Sequence, residues 1–181
     1  MFTRHRHLSA WLIGFVSGHV FRRAKVATSI AGKRQLLQSD RSAKLFIDVL
    51  YHYRAQRKYL LHDFVVMPDH CHLLITIGSE ISIERAVQFI KGGFAFRAGK
   101  ELAFRAPVWE RGFSEIRVKD AETAARVRDY IRCNPVKKGL VQNSEEYAYS
   151  SGHSGFESDD LPPGLKPVIF CSRTGTSEDV P

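Results

Sequence analysis

The chain has 181 residues, 44% of them apolar, enough for one well-filled domain and too few for a comfortable pair. Its net charge of +8 is uneven: residues 1–140 carry 25 Lys and Arg against 12 Asp and Glu, whereas residues 141–181 carry 2 against 7. A body this basic points to a phosphate-rich partner, nucleic acid ahead of a membrane surface. Cys71, Cys133 and Cys171 are odd in number and widely spaced, without a Cys-x-x-Cys pair for zinc or redox chemistry, which fits a reducing cytoplasm.

In chain order, the apolar run Leu8 to Val16 behind Arg4 and Arg6 lacks a small-residue cleavage pattern and reads as non-targeting. It is also far short of the roughly 20 apolar residues that span a bilayer. His19 to Ile30 reads as a strand with a basic edge at Arg22, Arg23 and Lys25, followed by a turn carrying Lys33 and Arg34. Ser39 or Asp40 caps a helix to Gln56, with Phe46, Val49, Leu50 and Tyr53 on its apolar stripe. Tyr59 to Met67 and Cys71 to Ile77 form a hairpin that turns at Pro68 and Asp69. Ser82 caps a second helix through Ile83, Ala86, Val87, Ile90 and Phe94, weakened near its end by Gly92 and Gly93 and carrying Lys91. Gly99 to Pro107 reads as a basic connection, and Val108-Trp109 and Phe113 to Val118 as short strands. Asp120 caps a third helix that ends at Pro135.

This order is the split βαβ arrangement of an α+β, ferredoxin-like domain: an antiparallel sheet with helices on one face and one C-terminal helix appended. Residues 1–151 form the domain, with 1–17 as an N-terminal extension. Residues 152–181 form a tail whose polar, acidic end from Ser172 reads as disordered.

Chemistry concentrates in two places. In the strand Cys71 to Ile77 the period of two puts Cys71, Leu73, Ile75 and Ile77 on a core face. His70, His72, Leu74 and Thr76 share the other face, which reads as open to a large substrate. A His-x-His pair is by itself more often structural than metal-binding. On the third helix Tyr130 and Asn134 are one turn apart, hence neighbours. Two imidazoles and an amide oxygen suit Mg²⁺ or Mn²⁺ acting as a Lewis acid on a phosphoryl oxygen, with the tyrosine hydroxyl as nucleophile. Taken singly, Tyr130 also fits a half-buried core residue and Asn134 a helix terminator. Arg126, Arg128, Arg132, Lys137 and Lys138 fit either a solvated helix face or a surface met by a phosphate backbone. Phe94, Phe96, Trp109 and Phe113 fit core positions better than base-stacking platforms, and Asp69, Glu110 and Glu115 are background candidates for supporting the ligands.

Met67-Pro-Asp-His-Cys-His-Leu-Leu, then Trp109-x-x-Gly-Phe113, then Tyr130-Ile-x-x-Asn-Pro-Val-Lys-x-Gly-Leu-Val together resemble the REP-associated tyrosine transposases of the single-tyrosine HUH nuclease superfamily, across roughly Val20 to Ser151. The resemblance implies that His70 and His72 are metal ligands, Asn134 the third ligand and Tyr130 the nucleophile. It also implies a substrate of single-stranded DNA with a hairpin, cut to leave a 5′-phosphotyrosine and a free 3′-hydroxyl. Arg22, Arg23, Lys25, Lys33, Arg34, Lys91, Arg126, Lys137 and Lys138 are the candidate contacts to that DNA. One departure stands out: Ser114-Glu115-Ile116 occupies the place where the family commonly carries a His or an acidic pair. The expected protein is cytoplasmic and monomeric or homodimeric. The competing readings are a non-catalytic protein that binds structured single-stranded nucleic acid, and a metal-dependent phosphodiesterase that uses water.

Overall fold

A computed structural model describes residues 21–161; the expectations for the N-terminal extension, for His19 and Val20, and for the end from Ser172 fall outside these residues. The elements are β1 (Arg22–Ser29), a 3-10 turn at Ala31–Lys33, α1 (Asp40–Ala55), β2 (Leu60–Val66), β3 (His70–Ile77), α2 (Ile83–Leu102), β4 (Ser114–Arg117) and α3 (Ala121–Lys137). The sheet order is β2-β3-β1-β4 with every pairing antiparallel, as the ferredoxin-like reading requires. Each helix starts where an oxygen-bearing side chain accepts an otherwise orphaned N–H. Ser39 accepts from Ser42 at 3.2 Å, Ser82 from Arg85 at 3.2 Å, and Asp120 from Thr123 at 2.7 Å.

The main core lies between α1, α2 and one face of the sheet. Ala24 and Val26 of β1, Phe64 and Val66 of β2, and Cys71, Leu73 and Ile75 of β3 meet Phe46 and Leu50 of α1 and Ile90 and Phe94 of α2. Phe46, Phe94 and Trp109 add ring contacts at centroid separations of 5.3–5.5 Å. The opposite face is not left open over β2 and β3. Val65, Met67 and Leu74 form a second core there with Val118 and with Ala124, Val127 and Ile131 of α3. Strand alternation correctly separates the two faces, but it does not say that the appended helix lies on the histidine side.

A β-bulge sets what β2 offers to each face. Leu61 pairs with Ile75 but Asp63 pairs with Leu74, so His62 is the extra residue and the pleat changes phase there. Phe64 and Val66 therefore turn toward the main core, while Asp63 and Val65 turn toward α3.

Three boundaries and placements differ from the sequence expectation. Helix α2 runs through Gly92 and Gly93 to Leu102, so Gly99 to Leu102 is helix and not connection. A Cβ at Gly93 would sit 2.7 Å from Cε2 and 2.9 Å from Oη of Tyr53, so the glycine lets α1 and α2 approach, whereas Gly92 has open space. Pro135 lies inside the last turn of α3, which continues to Lys137; proline removes a single N–H there, and the N–H groups of Lys138 and Gly139 close the end by donating to the Asn134 and Val136 carbonyls. Phe96 is 63% exposed and is not a core ring, unlike Phe94 and Trp109.

Residues 152–161 are not a free tail. Ser150 bridges to Val65, Phe156 packs against Tyr51 and Phe64, and Asp159 pairs with Arg54 and accepts the Leu61 N–H at 2.7 Å. This segment covers the outer edge of β2, which no other strand of the sheet pairs. No helix among the described residues is long and apolar enough to cross a membrane.

Gly93→Ala is expected to destabilise the chain by about 1–2 kcal/mol, because overpacking against the Tyr53 ring, itself stacked on Phe89, outweighs a helix-propensity gain of up to ~1 kcal/mol. Gly92→Ala, with nothing for its methyl to meet, is expected to stabilise. Denaturant melts of the two variants against the parent check both signs.

Candidate metal and tyrosine site

Strand β3 begins at His70, and its pleat carries His70 and His72 to the same face with ring centroids 5.0 Å apart. The two rings live in different surroundings. His70 is partly exposed, and its Nδ1 lies 2.5 Å from the Asp69 carboxylate, so Nδ1–H donates there and Nε2 is the ring nitrogen left to face a ligand. His72 is 7% exposed, and its buried Nδ1 has no hydrogen-bond partner among the described residues. Burial first, and then the charges of His70 and Lys25, push its pKa down to about 3, so the ring is neutral at any ordinary pH.

A neutral, partly orphaned imidazole beside a second imidazole whose tautomer is fixed by a carboxylate is a fitting donor pair for a divalent cation. Among the described residues no third His, Cys, Asp or Glu joins them, so any further protein ligand would be an amide, carbonyl or hydroxyl oxygen. Asn134 is 5% exposed, on the last turn of α3.

Tyr130 stands edge-on to His72 with ring centroids 5.2 Å apart. It is 38% exposed, in contrast to Tyr59, which is wholly buried with its hydroxyl donating to the Leu50 carbonyl. Lys25 Nζ lies 3.6 Å from the Tyr130 ring centroid and Lys137 Nζ 5.6 Å from it. The helix thus brings the Tyr130 ring to His72 with two lysine cations close to that ring, an arrangement suited to receiving a phosphodiester.

The remaining basic candidates are spread over other surroundings. Arg22 pairs with Glu115 at 2.5 Å. Arg23 is partly buried, which lowers its pKa, and its Nε lacks a partner among the described residues. Lys33 lies 3.5 Å from the Ser29 hydroxyl, and its charge is felt by Asp69 beside His70. Arg34 donates to the Ala31 and Pro107 carbonyls, and Lys91 donates to the Glu110 and Gly112 carbonyls at 2.8 and 2.6 Å, so both hold loops together. Arg126 pairs with Glu122 along the helix, and Lys138 is exposed past its end. Glu110 accepts the Gly32 N–H at 2.6 Å. Of the three carboxylates weighed as supports for the ligands, Asp69 alone is shown touching a histidine of the pair.

Sequence reasoning passed over Asp63. It is 0% exposed and accepts from Arg128 Nε at 2.6 Å, Arg132 Nε at 2.8 Å and the Ser151 hydroxyl at 3.0 Å. The signal was a carboxylate inside the otherwise apolar Leu60-Leu-His-Asp-Phe-Val-Val, since a charge there requires a cation.

The metal-free chain is expected to lose stability in mild acid. The unfolded chain binds a proton at His72 near pH 6.5, while the folded chain resists it down to about pH 3. The unfolded state therefore holds more protons, and stability falls, as pH drops below about 6.5. By pH 5 this one group costs about 2 kcal/mol relative to pH 7.5. His62, whose pKa is also lowered by burial, acts in the same direction. Denaturant titrations in chelator at the two pH values should show the difference, and His72→Gln should shrink it.

The family model for IS200-like transposases matches residues 23–134. A Haemophilus influenzae protein classed as a REP-associated tyrosine transposase is 24% identical over 144 residues, covering 70% of this chain and 82% of its own length. A REP-associated tyrosine transposase of Escherichia coli is 25% identical over 119 residues, covering 65% of this chain and 66% of its own length. The fold is similar to a solved REP-associated tyrosine transposase bound to a REP hairpin, with a TM-score of 0.64 at 17% identity, covering 93% of this chain and all of that one.

Proposed function

The chain belongs to the IS200-like transposase family, and from that premise we propose that it cuts and rejoins single-stranded DNA beside a hairpin through a 5′-phosphotyrosine on Tyr130, with Mg²⁺ or Mn²⁺ held by His70 and His72. The observation that carries the reading is the approach of Tyr130 on α3 to His72 on β3, 5.2 Å between rings, with the tyrosine exposed and flanked by Lys25 and Lys137. The hairpin substrate is supported by the relative solved with a REP hairpin.

When bound, the cation would supply Lewis-acid polarisation of a phosphoryl oxygen, with Asn134 as the candidate third protein ligand. The chain's own residues supply the rest. Asp69 holds His70 in one tautomer and orientation. Lys25 and Lys137 set positive charge around the tyrosine, where a phosphate would enter and where a phenolate leaves on the return step. The Tyr130 oxygen attacks phosphorus and gives up its proton to solvent. The bond from phosphorus to the 3′-oxygen breaks, and that oxygen takes a proton to leave as a 3′-hydroxyl. The 5′-phosphate remains on the tyrosine, and attack by a 3′-hydroxyl reverses the step, so the same site both cuts and joins. In this reading one chain would supply both His72 and Tyr130.

The test is to incubate the chain with single-stranded hairpins and Mn²⁺ and look for a protein-DNA adduct that survives denaturation. A water-using phosphodiesterase would cleave without one, and a binding protein would do neither.

A further inference from the structure

We infer that Asp63 is a positioning residue for Tyr130, fixing the rotation of α3 on the sheet; this rests on the reading of Tyr130 as nucleophile. Arg128 and Arg132 are four apart on α3 and so share one side of it. Tyr130, two residues from each, lies about 200° around the helix axis from both. Asp63 takes both arginines through Nε, from the β2 side, at 2.6 and 2.8 Å. The tyrosine is thereby turned toward β3 and β1, where it meets His72 and Lys25.

The clamp is stiff because, among the described residues, the two arginines are the cations paired with Asp63. It is fully buried, and the bulge at His62 points it at α3. Ser151, on the strap 149–161 that covers the outer edge of β2, closes it from outside, donating to Asp63 while accepting the Phe64 N–H at 3.0 Å. Turning α3 by a single residue, about 100°, would break both arginine pairs and leave a buried carboxylate with one hydroxyl donor. The second core does not impose this alone, because Ala124, Val127 and Ile131 are small or aliphatic contacts that tolerate a few degrees of roll. Two charge-assisted bonds on one carboxylate are directional and do not.

Asp63→Asn keeps the shape and removes the charge. Relative to the parent chain, hairpin affinity is expected to stay within about twofold, while adduct formation in a single turnover slows about ten- to a hundredfold, the scale of a small misplacement of a reacting group. A second readout does not depend on catalysis. The His72 ring protons sit in the field of the Tyr130 ring, so their NMR shifts in Asp63→Asn should move toward those of Tyr130→Leu. Should Asp63→Asn fail to fold, the double variant Arg128→Gln and Arg132→Gln, at partly exposed positions, is expected to give the same slowing of adduct formation at saturating hairpin and the same His72 shifts. Adding the arginine changes to Asp63→Asn should cost little more, because the three act as a unit. A parental adduct rate, unmoved His72 shifts, or a rate loss matched by an equal affinity loss overturns the clamp. If the parent itself forms no adduct on Tyr130, the nucleophile reading fails instead, and the His72 shifts alone decide whether Asp63 holds the helix.

Discussion

Tyr130→Phe is expected to bind hairpin DNA as the parent does and to form no covalent adduct, a loss to below detection. Phenylalanine keeps the ring, and with it the edge contact to His72 and the cations over its face at Lys25 and Lys137, so the surface seen by DNA changes by a single oxygen. The hydroxyl is what the proposed chemistry needs, since it is the atom that would attack phosphorus. Were Tyr130 a structural residue, the substitution would cost about 1 kcal/mol through a lost hydrogen bond and leave cleavage intact. Mass spectrometry of the parent adduct adds a sharper check, because the nucleotide must reside on the peptide containing Tyr130. Tyr147 is the instructive competitor. It is also on the chain after β4, but its hydroxyl donates to the Val66 carbonyl at 2.9 Å and burial pushes its pKa up to about 12. Nucleotide found on Tyr147 or Tyr149 would sink the assignment even if the phenylalanine variant were inactive.

What could be read from the sequence follows from how local each signal is. The shared face of His70 and His72 depends only on the pleat of one strand, and the caps at Ser39, Ser82 and Asp120 depend on three residues each. All were legible. The approach of Tyr130 to His72 spans 58 positions and no periodicity reports it; the resemblance to a family supplied it, and the ring contact is where the two segments meet. Asp63 was hidden by the bulge. Unbroken alternation from Leu61 would send Asp63 into the main core, and the single extra residue His62 sends it to α3 instead. Gly92 and Gly93 read only as a weakening of the helix because propensity is local, whereas the need for Gly93 lies in the ring of Tyr53, forty residues earlier. The strap at 149–161 has no hydrophobic period at all. Its contribution is edge pairing with β2 and the Arg54–Asp159 pair, both of which exist only once β2 and α1 are in place.

Replacing either histidine by alanine is expected to remove cleavage by well over a hundredfold while the domain stays folded. The scale follows from the supporting residue: changing a carboxylate that only orients a ligand typically costs about 10- to 100-fold, so Asp69→Asn should fall in that range and loss of the ligand itself beyond it. The two alanine variants should differ in stability. His70 lies at the start of β3 and is partly exposed, so its removal costs little; His72 is almost wholly buried between His70 and Tyr130, and its removal opens space beside the second core. Against that loss stands a gain, since His72→Ala also deletes a buried, unpartnered nitrogen, and the variant should be less sensitive to mild acid than the parent. Calorimetric titration with Mn²⁺ separates the roles: both variants should lose metal affinity, whereas Tyr130→Phe should retain it. Native-rate cleavage by either alanine variant in the presence of metal would remove the histidines from the reaction. Cleavage lost with metal affinity unchanged would point instead to a direct contact between the imidazole and the DNA.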